Sequence, residues 1–124
     1  MILDSNILIY FVEPNYDTLR AYLAEQKEPL YISLITKLEV LGFHKLKPVH
    51  KSELEQLLDI VSLLPITNNI INEAIRLRQQ RKRSLGDSII AATALLYNQP
   101  ILTHNTSDFD GISGLEVISM ASVL

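Results

Sequence analysis

Met1-Ile2-Leu3-Asp4-Ser5-Asn6-Ile7-Leu8 opens the chain with three apolar residues, a polar break and a second apolar run. A short apolar run stopped by turn-prone residues reads as a strand buried on both faces. Asp4 then has the residue type that N-caps a helix, here one beginning near Asn6. Similar strand-like runs recur downstream at Pro29–Ser33, Leu63–Ile66, Pro100–Thr103 and Leu115–Ile118. Between them lie segments whose apolar residues repeat with helical period. Tyr16–Gln26 aligns Leu19, Tyr22 and Leu23, and Leu34–Phe43 carries Leu34, Ile35, Leu38 and Leu41. Ser52–Leu63 aligns Leu54, Leu57, Leu58 and Val61, and Asn69–Lys82 aligns Ile70, Ile71, Ala74 and Leu77. Asp87–Asn98 aligns Ile90, Ala91, Ala94 and Leu95. Strands alternating with helices predict an α/β fold with a mostly parallel sheet covered on both faces.

The 124 residues, 48% hydrophobic and 20% charged, predict one globular domain spanning residues 1–124. Cysteine is absent, which excludes thiol catalysis, disulfide scaffolds, iron–sulfur clusters and zinc fingers. The longest apolar runs fall well short of the ~20 residues a membrane-spanning helix needs. With no basic stretch at the N-terminus to suggest a secretory leader, a cytoplasmic location is expected. A net charge of −3 argues against coating nucleic acid by bulk electrostatics. The cations are nevertheless bunched. Five of the 11 lysines and arginines are Arg76, Arg78, Arg81, Lys82 and Arg83, and three more are Lys45, Lys47 and Lys51. Such segments are either solvated helix surfaces or local grips on a phosphate backbone.

Functional groups of a parallel sheet gather outside the carboxyl ends of its strands. Asp4, Ser5 and Asn6 follow the first strand, and Ser33 follows the second and leads into a helix bearing Glu39. Thr103, His104, Asn105 and Asp108 follow the fourth, and Asp87 opens the helix before it. Each acid also has a structural explanation. Asp4 suits an N-cap. Thr36-x-x-Glu39 has capping-box spacing, although Leu34 and Ile35 place the helix start nearer Ser33; Glu39 lies about 90° from the centre of its apolar stripe. Asp108 and Asp110 sit in a polar, turn-prone loop. Asp87 carries the sharpest signal, since Ile90, Ala91 and Ala94 follow it at i+3, i+4 and i+7 and place it on a buried stripe. A charge there requires a partner. Ser84-x-x-Asp87 is also a variant capping box. Carboxylates gathered without compensating charge raise each other's pKa, and such clusters serve to hold hard divalent cations. A bound cation of that kind supports phosphodiester hydrolysis. His44, His50 and His104 lack ligand spacing, which disfavours zinc.

Other templates fail. No GxSxG, GxxxxGK[ST] or GxGxxG occurs. Asp4-Ser5-Asn6 has asparagine where a haloacid-dehalogenase-type phosphatase carries a second aspartate, and the paired acids of a response-regulator receiver are missing.

The motifs Leu3-Asp4-Ser5-Asn6-Ile7-Leu8-Ile9-Tyr10, Ile32-Ser33-Leu34-Ile35-Thr36-Lys37-Leu38-Glu39, Gly86-Asp87-Ser88-Ile89-Ile90-Ala91-Ala92 and Leu102-Thr103-His104-Asn105-Thr106-Ser107-Asp108-Phe109 occur in that order. Together they resemble the PIN-domain family, specifically its small VapC-type toxins, over almost the whole chain. The resemblance implies a three-layer α/β/α PIN fold and endoribonuclease activity dependent on Mg²⁺ or Mn²⁺. It implies Asp4, Glu39, Asp87 and Asp108 as the metal-binding and catalytic quartet, with Asp110 as a substitute for Asp108. Ser5 stands where the family often has threonine, and Asn6 and Asn105 match polar positions that orient the acids. The resemblance further implies an RNA substrate, a cognate antitoxin protein and a homodimer, with no membrane partner. In this frame Arg76, Arg78, Arg81, Lys82 and Arg83 are candidate RNA-binding residues. Two other readings are a catalytically silent PIN-like scaffold and an RNase H-like metal nuclease; the latter fold opens with long antiparallel hairpins.

Overall fold

The computed structural model describes residues 1–124. Strands β1 (Ile2–Leu3), β2 (Tyr31–Ser33), β3 (Ser62–Leu64), β4 (Ile101–Thr103) and β5 (Val117–Ser119) form one sheet in the order β3-β2-β1-β4-β5. All neighbouring pairs are parallel, with Leu3 opposite Leu102 and Ser33 opposite Leu64. Six α-helices connect them: α1 (Ser5–Phe11), α2 (Asp17–Ala24), α3 (Leu34–Leu41), α4 (Pro48–Leu58), α5 (Asn68–Gln80) and α6 (Leu85–Leu96). Two 3₁₀ turns, Thr106–Phe109 and Met120–Val123, flank β5. A wholly parallel sheet whose first strand runs directly into a helix lacks the antiparallel opening that an RNase H-like fold requires.

Alternation along the strands distributes the core. Leu3, Ile32 and Leu102 pack with residues of α1, α2, α3 and α4 on one face. Ile2 and Ile101 pack with Ala74 and Leu77 of α5, Ile90 and Ala91 of α6, and Phe109 on the other. Side chains one residue apart point to opposite faces, so strands of two or three residues serve both layers. No helix is long and apolar enough to cross a membrane.

Several expected boundaries move for local reasons. Helix α4 starts at Pro48 rather than Ser52, with the proline at the first position where its missing N–H costs nothing. Strand β3 covers Ser62–Leu64 rather than Leu63–Ile66, because Pro65 cannot donate to the sheet. Strand β5 lies two residues beyond the expected start, after Gly114, whose φ of +83° closes the preceding turn. The expected buried face of α3 is corrected in part, since Ile35 and Leu41 pack half-buried against the core as expected. Thr36 and Val40 are the enclosed residues, whereas Leu34 and Leu38 are 41% and 67% exposed. Helix α3 packs on α1 and α6, and the face that meets them is the 36/40 face, not the leucine face.

Candidate active site

The strand order changes direction around β1, which lies between β2 and β4; the carboxyl ends at such a switch point leave a natural crevice. Asp4 occupies it directly after β1. It caps α1 and is 95% enclosed, with a relative exposure of 5%. Its Oδ1 accepts from the Ser5 amide at 2.8 Å, and its Oδ2 accepts from the Thr103 hydroxyl at 2.7 Å and from Asn6 Nδ2 at 3.3 Å. The capping and the functional explanations of Asp4 are therefore compatible: the cap consumes one oxygen lone pair, and a carboxylate has about four such sites.

Glu39 approaches from α3. Ser33 caps that helix by accepting from the Ile35 amide at 3.2 Å, as the leucine and isoleucine at its start suggested, so Glu39 lies beyond the first turn and caps nothing. The Ser5 hydroxyl donates to Glu39 Oε1 at 2.9 Å. The Glu39 carboxylate also lies against Gly86 of α6, where a Cβ would stand only 2.9 Å from Oε2. A glycine directly before Asp87 thus lets a glutamate from another helix reach the start of α6. Ser84 caps α6 by accepting from the Asp87 amide at 3.1 Å, which places the half-buried Asp87 in the first turn. Asp108 sits in the 3₁₀ turn after β4, shares an open cleft of about 490 Å³ with Asp87 and Ser84, and no apolar side chain lines it. Asp110 is exposed and lies outside that cleft.

The acids feel one another. Burial pushes the Asp4 carboxyl above the usual aspartate range; hydrogen bonds from Thr103 and Ser5 oppose this, and Glu39 and Asp108 reinforce it. Burial likewise raises Asp87, with the Ser84 hydroxyl opposing and Asp108 and Asp4 adding repulsion. Acids from sequence elements about 100 residues apart thereby stand close enough to repel one another. The donor set is carboxylate oxygen, which suits a hard divalent cation. Asp4 is held rigidly, whereas no three acids close around one point; loading a cation calls for side-chain rotation by Glu39, Asp87 or Asp108. The donor chemistry fits Mg²⁺ or Mn²⁺.

Around the acids, Asn6 Oδ1 accepts from the His104 amide at 3.2 Å, so Asn6 links the first turn of α1 to the loop after β4. Asn105 engages through its backbone, donating to Thr103 Oγ1 at 3.1 Å. Thr103 stood among the polar residues after the fourth strand but was given no role from sequence. It is fully enclosed at the end of β4 and supplies the shortest hydrogen bond to Asp4. A hydroxyl residue closing an apolar strand opposite the strand that ends in Asp4 was the available signal.

The basic run divides into distinct placements. Arg78, Arg81, Lys82 and Arg83 line the cleft that holds Asp87 and Asp108. Arg81 and Lys82 are exposed there, and neither forms an ion pair. Arg76 lies outside the cleft and is bonded to Glu73. Arg83 is buried, with its guanidinium on backbone carbonyls. A second cleft of about 490 Å³, between the end of α1 and α4, contains none of the four acids.

The PIN domain family model matches residues 1–115. A protein named Ribonuclease VapC from Rickettsia bellii is 31% identical over 137 aligned positions, covering 97% of this chain and 96% of the relative. A toxin-antitoxin complex from Klebsiella pneumoniae contains a chain 34% identical to this one, with a TM-score of 0.78 and 95% of each chain covered. The structure of VapBC2 from Rickettsia felis bound to a promoter DNA fragment shares the fold, with a TM-score of 0.84 at 21% identity over 95% of this chain and 96% of that one. The family model over residues 1–115, the sequence match and the shared fold agree: the chain belongs to the PIN domain family.

Proposed function

We propose that this PIN domain, taken as residues 1–124, is a divalent-metal-dependent endoribonuclease and the toxin of a toxin–antitoxin pair. The observation that carries the reading is the placement of the acids about the carboxyl ends of β1 and β4: Asp4 after β1, Glu39 bonded to Ser5 beside it, and Asp87 and Asp108 in one shared cleft. The name of the Rickettsia bellii relative and the complex from Klebsiella pneumoniae support the substrate class and the antitoxin partner. Asp4, Glu39, Asp87 and Asp108 would hold Mg²⁺ or Mn²⁺, which supplies a lowered water pKa and charge stabilisation at a phosphoryl group.

The chain's own residues do the positioning. Thr103, Asn6 and the Ser5 amide fix the Asp4 carboxylate, and the Ser5 hydroxyl orients Glu39. Asn105 supports Thr103 from behind. Arg78, Arg81 and Lys82 stand beside the acids as a cationic wall for phosphates flanking the scissile bond. Unpaired cations next to unpaired acids suit an anionic backbone that approaches from one side while a cation is held on the other. The exposed Leu34 and Leu38 of α3 offer apolar surface for a homodimer, and a cytoplasmic location accords with an RNA target.

The test is cleavage of a mixed RNA pool by purified, antitoxin-free protein with Mn²⁺, with EDTA, and with Asp87→Asn. Cutting that needs metal and disappears in the variant is the expected result. Cutting that survives both EDTA and Asp87→Asn would refute the acidic-site reading. No cutting in any metal by folded protein would favour a PIN-like scaffold without catalysis.

A further inference from the structure

Arg83 differs from every other cation of the basic run. Its exposure is 7%, and its guanidinium is spent on backbone oxygens of two separate elements. Nη1 donates to the Leu77 carbonyl at 2.8 Å, and Nη2 donates to the Asp110 carbonyl at 3.2 Å. Leu77 belongs to the last turn of α5, where carbonyls lack helical partners. Asp110 is the residue that terminates the 3₁₀ turn carrying Asp108. From the same short connection, the Arg83 carbonyl accepts from Arg78 Nε at 3.3 Å, and one residue later Ser84 caps the helix that presents Asp87. The Arg83 side chain therefore ties the end of α5 to the Asp108 turn, and its backbone leads directly into the start of α6. Its Nε–H is enclosed without a partner, a cost that an arginine turned outward to bind phosphate would avoid.

We propose that Arg83 is a positioning residue that fastens the Asp108 turn to the α5–α6 connection and so sets the place of Asp108 relative to Asp87, rather than a residue that binds RNA. The inference rests on the nuclease reading for its catalytic consequence, while the fastening itself does not. The turn has its own apolar anchors in Phe109 and Ile112, which are 2% and 7% exposed, so the fold survives loss of the guanidinium.

Four proteins carry the test: wild type, Arg83→Met, Asp108→Asn and the double variant, with Arg83→Lys as the conservative change. Supporting residues of this kind affect activity by roughly 10–100-fold. Arg83→Met is expected to lower kcat by that amount with RNA affinity unchanged, and Arg83→Lys, which keeps one donor group, to fall between. Because Arg83 acts through Asp108, the double variant should match Asp108→Asn within about twofold, the usual scatter of such cycles. Losses that multiply, an unchanged kcat in Arg83→Met, or a parallel fall in RNA affinity would each overturn the proposal. Amide hydrogen exchange without RNA gives an independent readout. Faster exchange at Asp108 and Asp110 in Arg83→Met, with β1 and β4 unchanged, supports the fastening, and unaltered exchange overturns it. Should the wild type cut no RNA in any metal, the nuclease reading fails and exchange alone decides the fastening.

Discussion

Thr103→Val removes one oxygen from the enclosed edge of the candidate site and leaves the side-chain shape nearly intact. The lost hydroxyl donates to Asp4 at 2.7 Å and accepts from the Asn105 amide at 3.1 Å. A hydrogen bond to an ionised carboxylate contributes about 1.5–3 kcal/mol. Asn105 is exposed, so its amide turns to water at little cost, and the added methyl group returns about 0.8 kcal/mol through burial. The expected net loss of stability is about 1–2 kcal/mol in the charged state. Its pH dependence has a definite sign. Burial already raises the Asp4 pKa in the folded protein, and Thr103 holds part of that rise in check. Removing the hydroxyl raises the folded value further. A carboxyl whose folded pKa is raised contributes stability at low pH that is lost as pH rises through the folded value. The deficit of Thr103→Val therefore widens from acid pH, near the unfolded aspartate value of about 3.9, toward pH 8. Urea denaturation in EDTA at pH 4 and pH 8 measures it, with Thr103→Ser, which keeps the hydroxyl, as the control. A deficit of equal size at both pH values, or none at pH 8, would refute the role assigned to this hydroxyl.

Other substitutions probe the remaining contacts. Asp87→Asn should abolish metal-dependent cleavage and, in EDTA, stabilise the fold above the carboxylate range, because it removes a charge whose pKa burial and neighbouring acids raise; thermal melts at pH 4 and pH 8 should show the gain only at the higher pH. Gly86→Ala would place a Cβ 2.9 Å from Glu39 Oε2, and the flexible carboxylate yields rather than the backbone. Cleavage should fall about tenfold or more while the melting temperature holds or rises slightly, since alanine favours a helix by up to about 1 kcal/mol over glycine. Replacing both Arg81 and Lys82 with glutamine should weaken RNA binding and flatten the salt dependence of log K by about 1.4, at roughly 0.7 per phosphate contact on a single strand. Fluorescence anisotropy across a salt series checks this, and an unaltered slope would remove these cations from the RNA path.

Local pattern located the elements that matter most for the site. Apolar runs bounded by proline and polar residues marked the neighbourhood of every strand, most sharply β1, whose two residues are buried on both faces; the outer strands β3 and β5 are more exposed and their boundaries shifted. Ser33 and Ser84 announced helix starts by their capping chemistry, which involves only neighbours in the chain. The face of α3 was not legible in this way. Leu34 and Leu38 form one i, i+4 stripe, and Thr36 and Val40 form another. Which of them is enclosed depends on where α1 and α6 stand. The basic run could not be divided for the same reason. Arg76, Arg81 and Arg83 look alike along the sequence, yet one bonds to Glu73, one is free in the cleft and one is buried on carbonyls.

Residue order and periodicity alone determined the alternation of strands and helices, the cap that puts Asp4 at the end of β1, and the absence of thiol chemistry, since these depend on composition and on contacts a few residues long. Tertiary packing decided that Thr103 grips Asp4, that Glu39 rests on Gly86, and that Arg83 ties the end of α5 to the Asp108 turn. Those contacts span 99, 47 and 27 residues of chain in their longest links, between Asp4 and Thr103, Glu39 and Gly86, and Arg83 and Asp110. A contact of that span exists only after the fold has placed both partners, and no periodicity in the chain encodes it.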